Sequence, residues 1–536
     1  MIKKINKIYL PVLFAAVLVA GLLLGKSLNN NPHKSYAQMY QADSKLGRIM
    51  DYIETRYVDT VSRSLLEESA IPAMLEELDP HSIYIPAKEM KRVSEDMRGN
   101  FEGIGVVFNH QTDTAIIISV ISGGPSDKVG VLPGDRIIRV NDSLIAGQDM
   151  PSNDVVGMLK GEKGTKVKVS LERKNVSDLI DVEIVRDKIP LYSVDVSYMI
   201  DDDIGFIKIN RFSETTYNEF LDGIAKLKEK GLKKLIVDLR GNTGGYMVSA
   251  TNIADQFLEH GKMIVYTQGK ASPKQEIYST GKGECKKMEV VILQDEFSAS
   301  ASEILSGAIQ DNDRGTIIGR RSFGKGLVQE PYPLSDGSVI RLTIARYYTP
   351  TGRSIQKPYS DDKDEYYHDL LNRYKHGEFS EADSIHFADS LKYVTPKGDI
   401  VYGGGGIMPD IFVPLDTTGF TKYYAETVRN GVLYNFAFEY VDNNRPYLNQ
   451  FKDAESIDSY LESVNILDQF TGYAEENGIP KTTKGFQHAK KLVNTQLKAN
   501  IARNILDNEG YYPIIENVDK PLNIAIKYLR GEKISD

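Results

Sequence analysis

The residue pattern predicts an α/β, multidomain protein, and three observations lead there. From Asp203 onward, strand-like runs alternate with helical spacing: IGFIKI, then Tyr217 to Lys230, then KLIVDL, then Val248 to Leu258. Between Arg98 and about Lys188 the pattern turns into short β-rich runs, FEGIGVVF, TAIIISVIS, DRIIRVND, KVKVSLER and LIDVEIVR, with one helix at Asn153 to Leu159. The stretches on either side of this α/β and strand-rich middle carry apolar residues at helical spacing. The chain therefore divides into an N-terminal helical domain at 36–97, a strand-rich domain at 98–188, an α/β core at 189–418 and a helical extension at 419–536.

Taken in order, Lys3, Lys4 and Lys7 precede an uncharged apolar run from Ile8 to Gly25, so residues 1–25 read as a signal or membrane anchor. Basic residues before the run place the N-terminus in the cytoplasm and the rest of the chain outside, in the cell envelope on the periplasmic side of the inner membrane. No small-x-small site closes the run, and the nearest candidate, Ser35 to Ala37, lies beyond it, which favours an uncleaved anchor over a cleaved signal. Residues 26–35 read as a linker. Leu46, Ile49, Met50 and Ile53, then Leu65, Leu66, Ile71, Met74, Leu75 and Leu78, build the first helices.

The chain has 536 residues, enough for several cores, and a net charge of −9 that argues against nucleic-acid binding. Cys285 is the only cysteine, so no internal disulfide forms.

The chemistry concentrates between Glu289 and Gln329. Glu289 to Leu293 is strand-like, a polar turn follows, and helical spacing runs from Glu303 to Gln310. A serine at such a strand-to-helix turn lies at the positive end of a helix dipole beside free backbone N–H groups, where an oxyanion is stabilised. Serine needs a base, and no histidine lies near this stretch. Lys325, between Gly324 and Gly326, is easily surrounded and desolvated, and a desolvated lysine becomes a neutral base near pH 7. Ser298 and Ser302 read equally well as helix caps. Gly319 to Lys325 fits the opening of a P-loop, but Gly326 stands where that loop needs Ser or Thr. A Gly-x-Ser-x-Gly elbow, a His-Glu-x-x-His helix and a Lys-Thr-Gly motif are absent, and no metal site or cofactor suggests itself.

FSASASEI and FGKGLVQ, with DLRGNTGG upstream and YYTPTGRSIQ downstream, resemble the carboxyl-terminal processing peptidases, the tail-specific Ser–Lys proteases of family S41. The resemblance covers about Leu78 to Pro414 and implies a crotonase-like α/β protease core with an inserted PDZ domain. It implies Ser300 as nucleophile, Lys325 as base and Gln329 as the residue that orients the lysine. It also implies that the N–H of Ala301 and one of Gly244 or Gly245 share the oxyanion. Asp238 and Arg240 of the same loop read as structural. LDPHSIYIP also matches the family, and His81 within it reads as a turn residue rather than a base.

GGPSDKVGVLPGDRIIRVND resembles the family's PDZ core in the bacterial permuted arrangement. Gly103, Ile104, Gly105 and Val106 then form the carboxylate loop, whose N–H groups receive a peptide's C-terminus. Residues 357–402, charged and tyrosine-rich, interrupt the family pattern and read as a surface insertion, either a lid or an exposed helical excursion. The helical extension lies outside the resemblance and packs against the core, a partner or another subunit.

The expected protein is an envelope serine endopeptidase, without cofactor, that captures unstructured C-termini of protein substrates through its PDZ domain. The alternative is a tail-binding scaffold, or a peptidase kept inactive until an adaptor or activating protein engages it. A homo-oligomer is compatible with either.

Overall fold

Six strands form the central sheet, in the order Val194–Met199, Ile204–Ile209, Lys234–Asp238, Glu289–Gln294, Thr316–Gly319 and Ile411–Phe412. The first pair is antiparallel and every later pair is parallel. The computed structural model describes residues 15–21, 44–112, 114–174, 176–359, 363–481 and 483–534. Parallel strands are buried on both faces, which is why LIVDL and VVIL read as unbroken apolar runs.

Helices Thr216–Glu229, Met247–Asp255 and Ala301–Asp311 cover one face of the sheet, over a core that includes Phe220, Phe257, Leu305 and Ile309. The last helix, Lys520–Leu529, covers the other, burying Leu522, Ala525, Ile526 and Leu529 against Phe206, Ile236 and Val291. Each large apolar side chain buried this way contributes about 1.5–3 kcal/mol. Of the three roles open to the extension, packing on the core is one the structure shows. Its other helices, from Lys422–Arg429 to Thr483–Ile515, build a core of their own around Phe436, Phe470, Leu497 and Ile501.

The strand-rich domain is an antiparallel sheet in the order Val106–Thr112, Thr114–Val120, Arg136–Val140, Lys166–Glu172 and Ile180–Val185, closed by helix Ser152–Leu159. Its entry and exit strands, Asn100–Gly103 and Asp187–Pro190, pair with each other and form the stem by which it is inserted. The extension also holds this domain: Arg136 and Lys174 reach Asp442 at 3.4 and 4.0 Å.

Residues 79–97, grouped by spacing with the N-terminal helices, belong instead to the larger unit, Asp79–Asp536. Within it Ile83–Ile85 pairs with Val339–Tyr348, the central strand of a second, antiparallel sheet. Alternation in IYI is a strand signal that a three-residue run carries too weakly to outweigh the helices around it. Before Asp79, helices Lys45–Arg56 and Arg63–Glu76 form a unit of their own, with Arg63 paired to Asp51, Glu54 and Glu67.

Most of the apolar run from Ile8 to Gly25 and all of the linker at 26–35 lie outside the described residues. Among the described residues no helix is long and apolar enough to cross a membrane. The insertion is less exposed than its charge suggests. Lys357 is sandwiched between the rings of Phe323 and Tyr366, 4.0 Å from each, and Arg373, 3% exposed, donates to the carbonyls of Arg321 and Ser322.

Asp238 and Arg240 are structural in a way the loop alone does not reveal. Arg240 chelates Asp238 at 2.7–3.0 Å on one side and Asp519 at 2.7 and 2.8 Å on the other, joining the loop to the last helix. Burial raises the Asp238 carboxyl, but Arg240 and Lys208 overcome it and hold the pKa at about 2. Arg240→Ala leaves Asp238 with Lys208 and Asp519 with the Leu522 N–H as remaining partners, and we expect it to cost about 3 kcal/mol, read as a lower denaturation midpoint. Because the folded pKa is depressed, the stabilisation is complete above the ordinary carboxylate pKa of about 4. It is lost as the pH falls through about 2.

Candidate active site

Beyond the carboxyl ends of two adjacent parallel strands, Lys234–Asp238 and Glu289–Gln294, the chain makes two turns that are stapled together. Ser298 Oγ donates to the Leu239 carbonyl at 2.9 Å, the Ala299 N–H to the Asn242 carbonyl at 3.0 Å, and Ser302 Oγ to that same carbonyl at 2.9 Å. Ser298 and Ser302 thus tie the serine turn to DLRGNTGG. The cap position of helix Ala301–Asp311 is Ser300 itself.

Ser300 has φ +56°, unusual for any residue but glycine. Such backbone costs on the order of 1–3 kcal/mol and persists only where its surroundings impose it. Here the Ser300 N–H donates to Glu303 Oε2 at 2.8 Å, and the Ser300 carbonyl accepts from Tyr347 Oη at 3.0 Å.

The same two side chains hold Lys325. Glu303 Oε2 also accepts the Lys325 N–H at 2.9 Å, while Oε1 accepts the Gly324 N–H at 2.7 Å and Ser322 Oγ at 2.5 Å. Tyr347 Oη donates to the Lys325 carbonyl at 2.7 Å. Glu303 and Tyr347, both buried, therefore clamp the two backbones that carry serine and lysine. Burial pushes the Glu303 carboxyl up, against the pull of its donors.

Lys325 Nζ donates to Gln329 Oε1 at 3.1 Å, and Gln329 Nε2 donates to the His81 carbonyl. The second bond fixes the amide so that its oxygen faces the lysine. Burial first, and the charge of Arg341 second, lower the lysine pKa to about 8, with Glu303 and Asp79 opposing. Among the described residues no hydrogen bond joins Lys325 to Ser300.

A histidine does reach this site, although none is near it in sequence. His81 sits in a turn held by Asp79, whose carboxylate accepts the N–H of His81 and of Ser82 at 2.8 and 2.9 Å. Its ring meets Tyr366 Oη of the insertion at 2.6 Å, and burial with the charge of Lys325 pushes its pKa down to about 4. It is a neutral ring at pH 7 that contributes its backbone carbonyl.

The two glycines differ. The Gly244 N–H is taken by Asn242 Oδ1 at 2.9 Å, whereas the Gly245 N–H makes no hydrogen bond among the described residues. A Cβ on Gly244 would lie 2.7 Å from Ser300 Cβ and 3.0 Å from the Ala301 nitrogen, so this glycine keeps the space before Ala301 open. A cavity of about 600 Å³ is lined by Gly244, Gly245, Ser300, Lys325, Gln329 and Arg341 among others. The structure thus brings together Ser300, Ala301, Lys325, Gln329 and both glycines.

In the strand-rich domain, the Ile104 carbonyl accepts from Ser126 N–H and Oγ at 3.1 and 2.7 Å, which fixes the loop. The N–H groups of Ile104 and Gly105 make no hydrogen bond among the described residues. Val106 begins the strand that follows, and Gly103 ends the stem.

Glu303, Tyr347 and Asn242 were not singled out from the sequence. Glu303 carried a signal, since Ser300-x-x-Glu303 ahead of an apolar helix is a capping-box pattern. Tyr347 and Arg341 carried none, being residues of a strand without a motif of its own.

These features define a hydrolase-type site in a chain that also carries a separate strand-rich domain. The profile of peptidase family S41 matches residues 203–362, that of the PDZ domain 103–184, and a family of unknown function 423–507. Carboxy-terminal processing protease CtpA of Bacillus subtilis is 36% identical over 358 residues, spanning 66% of this chain and 76% of that one. The carboxy-terminal-processing protease of Bartonella bacilliformis is 36% identical over 351 residues, spanning 63% of this chain and 79% of that one. The photosystem II D1 C-terminal processing protease structure is 22% identical, with a TM-score of 0.36, over 70% of this chain and 88% of that one. The chain belongs to the carboxy-terminal processing proteases of peptidase family S41.

Glu303→Gln turns an acceptor-only group into one whose NH₂ faces two N–H or O–H donors. We expect a loss of about 2–4 kcal/mol in a denaturation experiment, since each buried donor left unpaired costs about 1–3 kcal/mol. Tyr347→Phe is expected to lose less, because the Ser300 carbonyl still accepts the Ile304 N–H.

Proposed function

We propose that the chain is a serine endopeptidase of the cell envelope that binds protein C-termini through its PDZ domain and cleaves with a Ser300–Lys325 dyad. The observation that carries this is a desolvated lysine, oriented by Gln329 and clamped through Glu303 to a serine at the head of a buried helix.

In this reading neutral Lys325 takes the Ser300 hydroxyl proton as Oγ attacks the scissile carbonyl, and returns it to the leaving amine. Gln329 accepts one lysine N–H and so turns the nitrogen lone pair toward the serine. The free N–H groups of Ala301 and Gly245 receive the oxyanion, and Gly244 supplies clearance rather than a donor. The PDZ loop at Gly103 to Val106 holds the substrate's terminal carboxylate while the upstream chain reaches the cavity.

The lysine base places the enzyme on the neutral-to-alkaline side. Activity requires the deprotonated amine, so kcat/KM rises with pH up to about 8 and is flat above it. The envelope location rests on Lys3, Lys4 and Lys7 ahead of the apolar run Ile8 to Gly25.

The absence of a Lys325–Ser300 hydrogen bond favours a second reading, a resting form completed when substrate or an activating protein engages. Catalytic hydrogen bonds often tighten only in the substrate complex.

Ser300→Ala and Lys325→Ala are each expected to lower cleavage of an unstructured substrate by at least about a hundredfold with thermal stability retained. Full activity of the lysine variant at neutral pH sinks the dyad. Gly244→Ala is expected to abolish cleavage as well, because its methyl group occupies the space before Ala301; activity within twofold of wild type removes that role.

A further inference from the structure

One charge in the catalytic cavity has no counterpart. Two arginines line it, Arg211 and Arg341. Arg211, at the rim, has a carboxylate, Asp96, at 3.7 Å and a second partner in Asn210. Arg341 makes no ion pair among the described residues, and its Nε is buried without a hydrogen-bond partner. A guanidinium with a buried, unpaired donor is a costly thing to keep, and natural structures rarely do so without a ligand to complete it.

The fold aims this side chain at the chemistry. Arg341 lies in the central strand of the second sheet, opposite Ile83 on one side and Pro331 on the other. Side chains alternate along a strand, so Arg341 shares a face with Thr343, which bonds Asp79. Beyond the register shift between Thr343 and Ala345, the same strand carries Tyr347, which lines the same cavity and clamps Ser300 and Lys325. Gln329 is opposite Thr343, which makes Arg341 its diagonal neighbour, about 7–8 Å away between backbones. Both Lys325 and His81 feel its charge, and burial lowers its own pKa with no acidic group opposing.

We propose that Arg341 is a carboxylate-binding subsite of the cleft, which receives a carboxylate of the bound peptide and sets a preference for acidic substrate segments. A guanidinium takes a carboxylate through two parallel N–H···O bonds, which supplies selectivity as well as affinity. The carboxylate comes either from an Asp or Glu side chain or from the chain terminus of a short peptide. This inference rests on the peptidase reading of the same cavity.

The test uses the full chain and a set of unstructured peptides amidated at the C-terminus, in which a single Glu replaces Gln at successive positions around the cleavage point. A second pair differs only in a free or an amidated terminus. Wild type is expected to cleave at least one Glu peptide, or the free acid, about tenfold better in kcat/KM than its neutral twin. In Arg341→Gln that ratio falls to within twofold of one, while Arg341→Lys, which keeps the charge but not the fork, falls between. Loss of the ratio in the Glu series assigns a side-chain carboxylate, and loss in the terminus pair assigns the chain end.

If wild type shows no acidic preference at any position, or if Arg341→Gln keeps the wild-type ratio, the subsite is overturned. Because the PDZ domain also takes a free terminus, only the part of that difference that depends on Arg341 counts. Binding of the same peptides to Ser300→Ala and to Ser300→Ala/Arg341→Gln, followed by fluorescence anisotropy, separates the two proposals. Uncut peptides with wild type count against the active dyad and for the resting form, while an affinity difference that disappears with Arg341 upholds the subsite on its own.

Discussion

Glu303 has no exposed surface, and its two oxygens receive four donors: the N–H groups of Ser300, Gly324 and Lys325 and the hydroxyl of Ser322. A carboxylate offers about four lone-pair sites, so the group is filled. Through it the serine turn and the lysine loop, separated by a helix and a strand in sequence, share one anchor. The left-handed backbone at Ser300 depends on this anchor. A strained serine costs free energy that only a closed set of buried hydrogen bonds offsets, and Tyr347 closes the set from the carbonyl side.

Much of this was readable in the residues and much was not. The α/β core announced itself because its parallel strands are continuous apolar runs between helices of good length. Lys325 stood out as a base candidate because it lies between glycines with no histidine nearby in sequence, whereas the choice of Ser300 among the serines of that turn came with the family resemblance. Gln329 came only with the family resemblance. Glu303 was half-visible as a capping residue, but its bonds to Gly324 and Lys325 span 21 and 22 residues, and no local pattern encodes them. His81 shows the same limit from the other side. Its turn chemistry was read correctly, yet its carbonyl meets a side chain 248 residues away. Gly244 and Gly245 both have positive φ, and the sequence carries no sign of what distinguishes them, their hydrogen bonds and the space before each.

The two regions that composition left ambiguous, the insertion and the extension, have contacts in common with the core. The insertion looked like an exposed excursion because charge and tyrosine dominate it. Two of its cations turn inward, Arg373 to backbone carbonyls and Lys357 between two rings, which is how long cationic side chains cover apolar surface. The extension looked generic because helical spacing does not say what a helix covers. Its last helix completes the central sheet, whose second face would otherwise be an apolar surface open to water.

Arg240, two residues from the strand end that leads to the glycine loop, is held by Asp519 near the chain's C-terminus, and Gln329 is held by the carbonyl of His81 near its start. The site is thus pinned at both ends of the larger unit. A ribosome emits a chain from its N-terminus at about 5–20 residues per second, and domains order as they emerge. Here the glycine loop lacks its outer support until Asp519, 279 residues further along the chain, has been made. The nascent chain accordingly carries its glycine loop unbraced while the helices between the core and Asp519 are being made.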